Sequence, residues 1–187
     1  MNAQARLGQM LRQSMDVLLH PSVYTFRRYA PRASDSDALT YVAVAAFIVM
    51  LMGVVVSSGG MGVIGLLFAI INTLFGFYLF AGVMYFIAKQ FGGNGEFITV
   101  VYLFALFYAP ILLLTWLVLV VARFVPGASS VSLAIYFLGF VLQAFYAYQA
   151  IQAGMYLRRK RDALIAVLVG LVVLWVIERI LSGAAFI

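Results

Sequence analysis

One histidine, His20, and six acidic side chains are all that this 187-residue chain offers for acid–base work. His20 stands before Pro21 with no partner, and no acids are paired at a spacing that suggests proton transfer or metal ligation. Cysteine is absent, which excludes disulfides, thiolate metal sites and thiol chemistry. No catalytic residue, metal or cofactor is assigned, and an enzyme is not expected. The remaining residues of interest lie in apolar runs: Asn72, Tyr108, Gln143, Tyr146 and the acid Glu178. A polar group in such a place either bonds a neighbouring helix or lines a path for a ligand or ion.

The runs themselves set the fold class. Hydrophobic residues make up 66% of the chain and charged residues 10%, against about 45–50% and 25% in ordinary globular domains. A soluble domain of this size could not hide that surface, whereas lipid solvates it. The stretch Ala38–Ala88 carries no charge and is too long for one crossing of about 20 residues. Ser57-Ser58-Gly59-Gly60 divides it. Further boundaries fall at Lys89–Glu96, at Arg123 with the turn Pro126–Ser130, and at Arg158–Asp162. The expected fold is all-α: a polytopic membrane protein with a five-helix transmembrane bundle over 38–187, with spans at about 38–57, 62–88, 97–122, 132–156 and 163–181. Residues 1–37 form a cytoplasmic amphipathic helix and linker, and their charges argue against a cleavable signal.

Basic residues give the orientation. Ten lie in the N-terminal segment, the loop after span two and the loop after span four, against Arg123 and Arg179 on the other side. Positively charged loops stay in the cytoplasm, so the N-terminus is expected inside and the C-terminus outside. The net charge of +6 is thereby explained without nucleic acid. Arg158, Arg159, Lys160 and Arg161 would also meet anionic lipids on that side, worth about 1 kcal/mol per basic residue.

Before the first span, Leu7, Met10, Leu11, Ser14, Met15 and Leu18 recur at helical spacing, with Arg6, Gln9, Arg12, Gln13 and Asp16 opposite. Such a helix either lies in the membrane interface or docks on the protein's own cytoplasmic face; both readings stand. Asp35-Ser36-Asp37 can cap the first span.

Within the spans, Gly65, Ala69, Asn72 and Gly76 share one helix face, and Gly139, Gln143, Tyr146, Ala150 and Gly154 share another. Asn72 and Gln143 each lie about eleven residues from the outer helix end, near mid-bilayer at the helical rise. They read as helix contacts or as a polar pocket. Pro110 should kink the third span, with Tyr108 and Thr115 near enough to help satisfy freed backbone groups. Gly92-Gly93-Asn94-Gly95 reads as a flexible turn with Asn94 capping the third span, or as a cradle for a lipid phosphate near Lys89. Glu178, beside Arg179, can snorkel to the outer interface or serve ion coupling.

Pro21-Ser22-Val23-Tyr24-Thr25-Phe26, Gly92-Gly93-Asn94-Gly95-Glu96-Phe97 and Ala109-Pro110, set in this five-span layout, resemble bacterial members of the Yip (Ypt-interacting protein) domain family. The resemblance covers about Leu11 to Ile180. It implies a five-helix membrane domain with a cytoplasmic N-terminus, and for a bacterial member the inner membrane. Eukaryotic relatives act in vesicle trafficking, where they bind small GTPases and shape or sort membranes. This chain has a short N-terminal segment and lacks an Asp-Leu-Tyr-Gly-Pro type motif, which leaves GTPase binding open. The leading expectation is a membrane scaffold whose partners are the bilayer, with its anionic lipids, and other membrane proteins or a second copy. The alternative is a small transporter or channel lined by Asn72, Gln143, Tyr108 and Glu178.

Overall fold

A computed structural model describes residues 3–56, 63–124 and 129–184, and these carry seven α-helices and no strand. In chain order they are α1 Ala3–Leu19, α2 Val23–Tyr29, α3 Asp35–Val56, α4 Val63–Gln90, α5 Phe97–Arg123, α6 Ser129–Gly154 and α7 Lys160–Ala184. A short 3-10 turn, Ala30–Arg32, links α2 to α3. The helices α3 to α7 begin and end within three residues of the spans read from hydropathy. Four of them, over Asp35–Val54, Leu67–Gln90, Phe97–Ala122 and Ala134–Gly154, are long and apolar enough to cross a membrane. Continuous helix follows from the solvent: an apolar run in lipid must satisfy its backbone groups within itself. The turns read at Ser57–Gly60 and Pro126–Ala128 lie outside the described residues.

The helix α5 forms the axis of the bundle. It packs between α3 and α6 and also touches α4, while α7 closes against α4 and α6. Over Val100–Phe107 every side chain of α5 is buried, whereas Leu114, Leu117, Val118 and Val121 further along are exposed. The difference comes from α1, the Ala30–Arg32 turn and Phe26 of α2, which pack against the first half of α5. Lys89, the Arg158–Arg161 run and the N-terminal arginines all belong to this half, here termed the basic end. Small residues bring backbones together elsewhere: Gly139 faces Thr115 of α5, and Gly170 of α7 faces Met84 of α4.

Several expectations need correction. The helix α1 is docked on the bundle, but with a rotated face: Met10, Gln13, Ser14 and Val17 are buried, while Leu11, Met15 and Leu19 are exposed. Hydrogen bonding decides this, because Tyr102 donates to Gln13 Oε1 (2.7 Å) and Tyr41 to Ser14 Oγ (3.0 Å). Gln13 and Ser14 are buried where these two tyrosines meet them. Ser34 rather than Asp35-Ser36-Asp37 caps α3, its hydroxyl accepting from Asp37 N at 3.4 Å. The two aspartates instead reach other elements, Asp35 accepting from Tyr78 (2.9 Å) and Asp37 pairing with Arg6 (3.2 Å). The helix α5 holds Pro110 inside it as one element, as a kinked span also would.

Candidate functional site

Two regions gather the polar residues, the basic end and a pair of clefts between the spans. At the basic end, α1 and α2 fold into a hairpin. Ser22 caps α2 by accepting from Thr25 N (3.1 Å), and the Thr25 hydroxyl reaches back to the carbonyl of His20 (2.8 Å). Phe26 is fully buried, edge-on to Phe107 of α5 with ring centroids 6.3 Å apart. Phe107 in turn stacks on Tyr146 of α6 (6.0 Å), whose hydroxyl donates to the Leu18 carbonyl (2.8 Å). Tyr146 thus ties the N-terminal hairpin to the bundle. The hairpin touches three of the spanning helices through tyrosine hydroxyls, and hydropathy carries no trace of that.

Asp16 knots the hairpin together. Its carboxylate accepts from the Tyr29 hydroxyl (2.5 Å) and lies 3.3 Å from His20 Nδ1 and 3.7 Å from Arg28. The Tyr29 hydrogen bond, aided by His20 and Arg28, holds the Asp16 carboxyl below its ordinary 3.8 against an opposing desolvation. Burial first, then Asp16, pushes the Tyr29 hydroxyl above its ordinary 10.0. A depressed acid stabilises the folded hairpin above its unfolded value, and that contribution is lost as pH falls through the folded one. Amide-exchange protection of α1 and α2 should therefore stay flat from pH 7 to about 5 and fall only below 3.8. Asp16→Asn should lower protection at neutral pH and remove the acid dependence.

The Gly92–Gly95 loop is a packed interlock with the end of α6. Asn94 N donates to the Met155 carbonyl at 3.0 Å. A Cβ on Gly93 would lie 2.7 Å from Met155 Cε and 2.9 Å from the Ala88 carbonyl, and one on Gly95 would overlap the Gly154 carbonyl oxygen. Gly92 has φ +81°, a conformation that glycine adopts at little cost. Asn94 does not cap α5: Glu96 occupies that position, and its side chain makes no capping bond. With its backbone turned to α6, the loop is not built as an open anion cradle. Arg158, Arg159, Lys160 and Arg161 follow it in space and are all exposed.

Register on α5 gives the depth of the two amides. Phe80 meets Phe104, so Asn72, eight residues back along antiparallel α4, stands level with Leu112. Gly139 meets Thr115, so Gln143 stands level with Ile111. Both lie near the middle of α5, about 20 Å from its first residue at 1.5 Å per residue. They do not meet. Asn72 is exposed and shares a cleft of about 210 Å³ with Gly53, Thr73 and Trp116. Gln143 lines another, of about 400 Å³, with Gly76, Phe80, Tyr108, Phe140 and Trp175. The face of α4 that holds Gly65, Asn72 and Gly76 is thus not a packed helix contact; a Cβ on Gly76 would meet nothing within 4 Å. The α6 stripe does pack, through Gly139, Ala150 and Gly154. Pro110, one residue before the level of Gln143, is partly buried, and Thr115 is in contact with Gly139. The side chains of Glu178 and Arg179 lie outside the described residues, although α7 runs through both. Among the described residues no three His, Cys, Asp or Glu side chains gather as a metal site.

Neither a curated protein nor a solved structure matches this chain. A family model described as the Yip1 domain matches residues 15–180, from the second half of α1 to the later turns of α7. The matched region takes in the hairpin, the glycine interlock and both clefts, and the chain belongs to the Yip1 domain family.

Proposed function

We propose that this chain is a non-enzymatic membrane scaffold that crosses the inner membrane five times, with its N-terminus in the cytoplasm and its C-terminus outside. The observation that carries the reading is the hairpin built into the basic end, joined to α3, α5 and α6 through Tyr41, Tyr102 and Tyr146. Three anchors on three helices make a fixed platform rather than a loose tail. Its outward side presents Leu11, Met15, Leu19 and Tyr24, all exposed, beside Arg12, Arg27 and Arg28. An apolar row flanked by arginines suits a partner membrane protein held close to anionic headgroups. The five-span count is supported by the 25-residue length of α7, and the orientation by the bias of basic residues.

The absence of native cysteine makes a direct test clean. Arg159→Cys should resist a membrane-impermeant maleimide in intact cells, while Ser130→Cys should react. The reverse pattern ends the proposed orientation. Met15→Cys, cross-linked in native membranes, should trap a discrete adduct with another membrane protein. Recovery of uncross-linked monomer alone, with Arg159→Cys and Ser130→Cys behaving as expected, would end the scaffold reading and leave the topology standing.

A further inference from the structure

The larger cleft holds chemistry that the platform does not use. Tyr108 and Gln143 both open onto it, and neither forms a hydrogen bond with another described residue. Around them stand Phe80, Phe140 and Trp175, with space left beside Gly76. At hydrocarbon depth there is no bulk water to satisfy a hydroxyl or an amide, so an unmet group is costly there. We propose that this cleft binds the carbonyl-bearing ring of a membrane-soluble quinone, with the Tyr108 hydroxyl and the Gln143 amide donating to its oxygens.

Depth selects this class of ligand. Tyr108 lies eleven residues into α5, about 16 Å along the axis, and Gln143 is level with Ile111, about 21 Å along. The 27 residues of α5 span about 40 Å, against a hydrocarbon core of about 30 Å. Both donors therefore stand well inside the core, with Gln143 close to its midplane. Ester carbonyls of glycerolipids stay at the core's edge, about 15 Å from that midplane, and do not reach. A quinone carries its carbonyls on an apolar, planar ring that enters the hydrocarbon. Tyrosine and a primary amide can each donate to such an oxygen. The three aromatic walls offer faces and edges to a flat ring, and about 400 Å³ falls within the range of small-molecule sites. The space beside Gly76 widens the cleft, and any longer side chain there would fill it.

The test uses the full chain in phosphatidylcholine nanodiscs, titrated with a decyl-substituted benzoquinone, which quenches nearby tryptophan fluorescence. The chain has two tryptophans. Trp116→Phe leaves Trp175 as reporter on the cleft; Trp175→Phe leaves Trp116, in the other cleft, as the partition control. Trp175 should be quenched saturably, and Trp116 only in proportion to the quinone in the bilayer. Tyr108→Phe and Gln143→Leu, read on Trp175, should each raise half-saturation about tenfold, the scale of one hydrogen bond. Gly76→Leu should abolish saturation. Linear quenching of both tryptophans alike would overturn the proposal. So would saturation indifferent to Tyr108→Phe and Gln143→Leu, or full relief of the saturable Trp175 quenching by an equal concentration of decylbenzene, which would mark an acyl-chain groove. Tyr108→Phe keeps the ring and its packing, so its result decides the matter even if Gly76→Leu fails to fold.

Discussion

Gly95→Ala should unfold the basic end of the bundle in detergent at temperatures where the native chain is stable, at a cost of about 3 kcal/mol or more. The new Cβ would overlap the Gly154 carbonyl oxygen and approach its carbon to 2.8 Å and Met155 Cα to 2.9 Å. All three obstacles are backbone, so no side-chain rotation relieves them. The loop must withdraw from α6 and lose the Asn94-to-Met155 hydrogen bond. With it goes the link between the start of α5 and the end of α6, which also sets the level of Tyr146 against Phe107. Gly82→Ala is the matched control, because its Cβ would meet nothing within 4 Å. In mid-helix that change should be neutral or gain up to about 1 kcal/mol. Thermal unfolding followed by circular dichroism reads both. Equal melting of the two variants would refute the interlock.

Phe26→Ala should release the hairpin while leaving the spans helical. Phe26 is wholly enclosed against Phe107, at the joint between α2, α5 and α6. Helix association within lipid gains little from the hydrophobic effect, because acyl chains are as apolar as leucine. The hairpin differs, since its undocked state places Phe26 in water or in the polar interface. Truncation then carries the full transfer and cavity terms, about 3–5 kcal/mol for a buried phenylalanine. Docking that strong should be lost almost completely, and amide exchange over α1 and α2 should accelerate about a hundredfold or more. Tyr24→Ala, on a residue 79% exposed, should leave the exchange unchanged. If Phe26→Ala also left it unchanged, the hairpin would not be held through α5, and the platform would lose its foundation.

The long helices were legible because lipid imposes a coarse rule. A run without charges, long enough to cross and unable to leave its backbone unsatisfied, has to be helical, and glycine-serine or basic boundaries mark where it stops. The ends read at Ala38 and Ala88 accordingly fall within three residues of the observed ends at Asp35 and Gln90. Interactions inside the bundle obey no such rule. Nothing in the periodicity of α1 indicates that Gln13 is buried and Leu11 exposed; that depends on Tyr102, almost ninety residues away, aiming its hydroxyl at one and not the other.

Composition, charge placement and the short motifs around Pro21, Gly92 and Pro110 were enough to determine a helical membrane protein and its family. They could do so because solvent and backbone satisfaction act on each segment separately. The tertiary structure alone decided that α1 and α2 belong to the bundle, that Gly93 and Gly95 are packed contacts rather than a flexible turn, and that Asn72 and Gln143 face separate clefts. These outcomes turn on which helix faces meet, and a helix that is apolar all round does not announce the face its neighbour will take.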